Sequence, residues 1–168
     1  MKIAVIAAVF LLDQLTKSLA VQYLSGRLSP VVIIPRFLDL RYAMNLGAAF
    51  SLLQDRTLFL SLFTLVAIVS IFWLALNAPP HNKWLQYGYS LILGGAIGNL
   101  ADRVFRGSGF LRGHVVDFID AHWKDLHWPT FNIADSAITV GVGCVLLALL
   151  FVKASEPVDG QANFDESP

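Results

Sequence analysis

An all-α membrane fold, with four transmembrane helices, a small β-segment outside the bilayer and a short interfacial helix, is predicted by three observations. Hydrophobic residues make up 56% of the 168 and charged residues only 14%, where a soluble domain carries roughly a quarter. Four stretches, near 3–23, 58–77, 84–104 and 134–152, approach the about 20 mostly apolar residues that cross a bilayer. Polar breaks separate them, the sharpest being Ala78-Pro79-Pro80-His81-Asn82.

The first stretch opens like a secretory signal, with Met1-Lys2 ahead of an apolar run. Asp13, Gln14, Thr16 and Lys17 then place charge and polarity where a signal sequence is neutral, so it reads as an uncleaved helix. Asp13 and Lys17, four residues apart, share a helix face and partly neutralise each other. Their bland reading is an ion pair that turns this helix inward; the other is a direct part in chemistry.

In the following segment Leu38, Leu40, Tyr42, Met44 and Leu46 alternate with Asp39, Arg41, Ala43 and Asn45. That is the period of a strand with one wet face, and it predicts a small sheet resting on the membrane surface. Residues 47–53 read as the short interfacial helix, and Asp55-Arg56 lead into the second span. Prolines 79 and 80 end that span and join it to the third as a hairpin. Residues 1–153 thus form one membrane domain. From 154 to 168 the chain is polar, acidic and aperiodic, which predicts a disordered tail.

The third and fourth stretches carry polar stripes. Steps of three and four put Gly95, Gly98, Asn99 and Asp102 on one face, the glycines permitting close helix approach. Asn132, Asp135, Ser136, Thr139 and Gly143 do the same on the fourth. The two stripes predict a wet pocket at one end of the bundle, since the other halves of these helices are apolar.

Several chemistries are excluded or disfavoured early. Net charge is zero, which argues against nucleic-acid binding. The lone Cys144 excludes an internal disulfide and a thiolate metal site. His81, His114, His122 and His127 read as loop residues without paired ligand spacing, so no metal and no cofactor are expected.

Asp117 and Asp135 remain to be explained. A carboxylate at the edge of hydrocarbon costs several kcal/mol unless it meets a partner or a polar cavity. Asp135 has a bland role, closing a capping box with Asn132. Asp117, between Val115-Val116 and Phe118-Ile119, has none, and desolvation there should raise its pKa. Brought together, the two would share a proton and form an acid-base dyad. Asp102-Arg103 also reads two ways, as an interfacial ion pair with Arg103 snorkelling or as part of the pocket.

Five segments, Asp13-Gln14-Leu15-Thr16-Lys17, Asn45 to Phe50, Gly94 to Arg103, Val115 to Phe118 and Phe131 to Asp135, in this order and spacing, closely resemble the bacterial lipoprotein signal peptidases, or signal peptidase II. The resemblance covers about residues 10–140. It implies a four-helix inner-membrane aspartyl endopeptidase that removes the signal peptide of diacylglyceryl-modified prolipoproteins just before the lipidated cysteine. It implies Asp117 and Asp135 as the catalytic pair, and Asn45, Asn99, Asp102, Arg103 and Asn132 as substrate-binding residues. Asp13, Lys17 and Gly47 would support the site. It also implies a monomer in contact with membrane lipids, both termini cytoplasmic, and the β-segment and active site on the extracytoplasmic face. Counting arginines alone selects the opposite orientation; arginines that bind headgroups or the site account for the excess. The 107–113 stretch makes the loop before Asp117 longer than the family pattern. Two rivals compete: a proton-conducting transporter, which needs carboxylates spread through the membrane depth, and a non-enzymatic assembly factor, which leaves Asp117 unexplained.

Overall fold

The computed structural model describes residues 1–47, 56–107 and 109–154, with side chains up to 150. Among the described residues are four helices, α1 (Ile3–Leu24), α2 (Thr57–Asn77), α3 (Lys83–Phe105) and α4 (Ile133–Ala154), and four strands, β1 (Val31–Ile34), β2 (Leu38–Asn45), β3 (Val115–Trp123) and β4 (Leu126–His127), in the chain order α1-β1-β2-α2-α3-β3-β4-α4. The helices begin and end within about two residues of the four apolar stretches. The expected interfacial helix, from residue 48 on, and the tail from 155 lie outside the described residues.

Three helices, α1, α2 and α4, are long and apolar enough to cross a membrane. Their outer faces show why: Phe63, Val66, Trp73, Leu147 and Leu150 are all largely exposed, which only hydrocarbon tolerates. The 23 residues of α3 reach about 35 Å at 1.5 Å per residue. Its composition is different. Gln86, Ser90, Asp102 and Arg103 are buried along it, and α1, α2 and α4 all pack against it. As the centre of the bundle, α3 turns its polar groups to its neighbours rather than outward.

Glycine sets how closely α3 approaches those neighbours. A Cβ on Gly95 would collide with the Ala134 carbonyl of α4, and one on Gly98 would stand 2.5 Å from Asp13 Oδ2 of α1. The backbone of α4 and the Asp13 side chain of α1 thus both lie against the backbone of α3 at one end of the bundle, where the polar residues lie.

The strands form one antiparallel sheet in the order β1-β2-β3-β4. The sequence identified β2 but not β3, which holds Asp117. The first four residues of β3 are all buried, so both faces are covered and no period-2 alternation marks the strand. The wet face expected on β2 also needs correction. A bulge between Leu40 and Ala43 breaks the alternation, and Asp39 is 8% exposed while Met44 is 61% exposed. A one-residue slip of this kind exchanges the two faces of a strand. His122 and His127 likewise lie in β3 and β4, paired with each other, not in loops.

The described end of the connection from α3 to β3, from Leu111 to His114, is tied to the helices. Gly113 N–H donates to Arg103 O at 2.9 Å and His114 N–H to Arg106 O at 3.0 Å. Ser61 Oγ of α2 lies 2.7 Å from Leu111 O. Finally, Phe131 bridges Ile119 of β3, with Phe131 N–H donating to Ile119 O at 3.0 Å and Ile119 N–H to Phe131 O at 2.9 Å. That bridge sets the start of α4 beside the middle of β3.

Candidate active site

Asp117 reaches the site from β3, opposite Ala43 of β2, and Asp135 from the first turn of α4. Both line one cavity of about 1050 Å³, together with Asn45, Gly47, Met44, Phe131 and Thr139. The hydrogen bonds of the two carboxyls come from amides. Asn45 Nδ2 donates to Asp117 Oδ2 at 2.9 Å and Asn132 Nδ2 to Asp117 Oδ1 at 2.7 Å. Asn99 Nδ2 donates to Asp135 Oδ1 at 2.8 Å.

Asn132 also makes the capping box expected from the sequence. Asp135 N–H donates to Asn132 Oδ1 at 3.0 Å, and Asn132 N–H donates back to Asp135 Oδ2 at 3.2 Å. One residue thus holds both acids, through its side-chain amide to Asp117 and its main-chain N–H to Asp135. Capping and support of the pair do not compete.

Behind the carboxyls is a second cluster, in which Asp13, Lys17 and Asp102 are fully buried and Arg106 is partly exposed. Lys17 Nζ is 2.8 Å from Asp13 Oδ2 and 3.0 Å from Asp102 Oδ2, and donates to Asn99 Oδ1 at 2.8 Å. Arg106 Nε pairs with Asp102 Oδ1 at 2.8 Å. Asp102 Oδ2 accepts from Val116 N–H at 3.1 Å, and Asp13 Oδ1 from Ala134 N–H at 3.0 Å. Each bonded N–H directly precedes or adjoins the residue bearing a site acid, so this cluster positions the backbone that carries them.

Of the residues expected to bind substrate, only Asn45 lines the cavity. Asn99, Asp102 and Asn132 stand behind it, while Gly47, expected as support, lines it. Arg103 is buried, donates from one guanidinium nitrogen to Gly47 O at 2.9 Å, and leaves Nη1 without a partner among the described residues. Gln14 was missed as a positioning residue. Its amide bonds Asp13 Oδ2, Gly98 O and Asp102 Oδ1; its place between Asp13 and Thr16 was the available signal.

Burial pushes the Asp117 carboxyl up to about 7, and the neighbouring charge of Asp135 adds to the rise. The amides of Asn45 and Asn132 oppose it. Near neutral pH this carboxyl therefore exchanges its proton readily, as a group serving in acid-base catalysis must.

The family model for signal peptidase (SPase) II matches residues 5–151. The chain belongs to the signal peptidase II family. It is therefore a protease with membrane-spanning helices. The chain is 47% identical to a lipoprotein signal peptidase of Syntrophotalea carbinolica over 81% of this chain and 82% of that one. It is 42% identical to one of Acinetobacter baumannii over 90% and 84%. Among solved structures, a bacterial membrane enzyme determined in meso at 2.3 Å superposes with a TM-score of 0.79 and 31% identity, covering 92% of this chain and 91% of that one. A second, at 1.9 Å, gives 0.74 and 33% over 88% and 91%. Membership of a signal peptidase II family removes the transporter and assembly-factor readings.

Proposed function

We propose that this signal peptidase II removes the signal peptide from diacylglyceryl-modified prolipoproteins, cutting just before the lipidated cysteine by an aspartyl mechanism. The observation that carries it is the convergence of Asp117 and Asp135 on one cavity with amide donors only. Without a cation between them, two adjacent carboxyls hold a single proton across a wide pH range.

The ionised carboxylate takes a proton from water as that water attacks the scissile carbonyl carbon. The protonated partner donates its proton to the carbonyl oxygen, giving a neutral tetrahedral diol. Collapse returns that oxygen's proton to one carboxylate, and the other delivers the proton taken from water to the departing amine. The pair ends with one proton, as it began, and its titration belongs to both residues. Asn45, Asn99 and Asn132 orient the carboxyl oxygens, so little reorganisation is needed during the reaction.

The same reading takes α3 as the fourth span, shielded from lipid by the other three helices. It places the chain in the bacterial inner membrane, acting as a monomer. Residues 1–153 are the peptidase domain, and both termini, with the tail from 154, are cytoplasmic. The sheet and the cavity then face the extracytoplasmic side. The acyl chains of the substrate stay in the bilayer while the peptide enters the cavity, and binding energy from those chains holds the scissile bond against the acids.

Purified Asp117→Asn and Asp135→Asn proteins should each lose at least about a thousandfold in turnover of a diacylglyceryl prolipoprotein while remaining folded in detergent. Turnover retained in either variant would remove the dyad. Orientation is read separately by labelling an engineered cysteine from outside intact cells. Labelling at position 108 and protection at 82 are expected, and the reverse would invert the topology.

A further inference from the structure

Asp120 is 1% exposed and plays no part in the reaction above. It lies three residues beyond Asp117 on β3 and faces the other way, into a smaller cavity of about 290 Å³. Arg41 Nε pairs with Asp120 Oδ2 at 3.1 Å, and His127 Nδ1 meets Asp120 Oδ1 at 2.9 Å. Arg41 and His127 are each more than two-fifths exposed and, unlike Asp120, also line the cavity of the two acids.

We propose that Arg41 and His127, both held by Asp120, form a subsite for one backbone peptide group of the bound polypeptide, two or three residues from the scissile bond. This rests on the peptidase reading above. Three points carry the proposal. First, a carboxylate only accepts, so the Asp120 contact takes the Nδ1–H of His127 and sets the ring's orientation; in the neutral tautomer with that proton, Nε2 is an acceptor. Second, Arg41 pairs through Nε with Asp120 and donates through Nη2 to Thr130 Oγ1 at 3.3 Å, which orients a guanidinium that still lines the cavity of the acids. A fixed donor beside a fixed acceptor matches a peptide C=O and N–H. Third, Asp120 offsets the charge of Arg41 at 3.1 Å, so with a neutral imidazole the subsite suits a neutral dipole better than a phosphate headgroup.

Spacing sets the position. Arg41 is two residues along β2 from Ala43, the partner of Asp117, and Asp120 is three along β3. At roughly 3.3 Å per residue this is about 7–10 Å, two or three residues of an extended chain. Arg41 and His127 would contact substrate; Asp120 would be a positioning residue.

The test uses the full-length protein in lipid micelles and a diacylglyceryl prolipopeptide. One backbone amide at a time is N-methylated, up to four residues on either side of the scissile bond. Wild type should lose about tenfold in kcat/KM for methylation at a peptide group two or three residues away. H127A should raise KM about tenfold for the unmethylated substrate and lose that methylation penalty. R41Q should raise KM similarly with kcat changing less than threefold, and D120N should show the same split. Because Arg41 and His127 are half-exposed, their variants keep the test open if D120N does not fold. An unchanged KM in R41Q and H127A overturns the subsite while leaving the peptidase intact. So does a methylation penalty that H127A retains, or an R41Q defect that follows the fraction of anionic lipid instead. Failure of wild type to cut any lipid-modified substrate removes the peptidase reading, and the subsite with it.

Discussion

Two groups of aspartates, Asp13, Asp102 and Asp117 buried and Asp135 half-buried, sit side by side, and their partners differ. Asp13 and Asp102 face cations, Lys17 and Arg106, at 2.8 to 3.0 Å. Asp117 and Asp135 are held by asparagine amides at 2.7 to 2.9 Å. A buried carboxylate paired with a fixed cation serves as a strut. One held by neutral donors keeps its shape and remains free to gain or lose a proton. Asn99 joins the two groups, accepting from Lys17 and donating to Asp135. The cation's field therefore reaches the acids through one amide without pairing with either.

The largest break in this contrast, after loss of the acids themselves, is Lys17→Met. It leaves Asp13 and Asp102 buried with one cation fewer, and should cost about 3–5 kcal/mol of stability. The check is a lowered melting temperature in detergent with little folded protein recovered. Retained stability would mean that the strut does not depend on the lysine.

The next effect is on pH. With the Asp117 carboxyl at about 7, the proton shared by the acids leaves as pH rises past that value. The kcat/KM for a lipidated substrate should then fall about tenfold per unit on the alkaline side. Asn45→Ala removes a donor that favours the charged form of Asp117. It should lower kcat/KM about tenfold at neutral pH and move the alkaline limb upward, whereas a downward move would put the amide in another role.

The smallest effect concerns stability. The Asp117 pKa rises from 3.8 to about 7 on folding, so the native state binds this proton more tightly than the unfolded chain. Stability from this group falls as pH rises from about 4 to 7 and levels off above it. Melting curves of Asp117→Asn should lack that slope, and an identical slope would assign it to other groups.

Much of this contrast is legible in the amino-acid order. Asp117 and Asp135 stand out because apolar neighbours make a carboxylate costly, and the Asn132–Asp135 spacing spells a capping box. The ends of α1 to α4 follow from apolar length. The strand carrying Asp117 does not, because burial on both faces erases its alternation. Nor does the group around Asp120: three residues from Asp117 on a strand means the opposite face, and Arg41, which lines both cavities, lies in the irregular register between Leu40 and Ala43 that alternation does not predict. That Asn99 and Asn132 stand behind the acids rather than on the cavity wall depends on close helix packing at Gly95 and Gly98, which spacing suggests but does not place in depth.

Asn132 gives the site an unusual resistance to change. Its side chain and backbone hold both acids, so an inhibitor bridging Asp117 and Asp135 grips atoms that the enzyme cannot alter without undoing its own hydrogen-bond circuit. Drug escape is then confined to the cavity rim. There, side chains such as Met44, Leu46, Ile138 and Val140 fill space and can be exchanged for others of similar volume at little cost to the reaction.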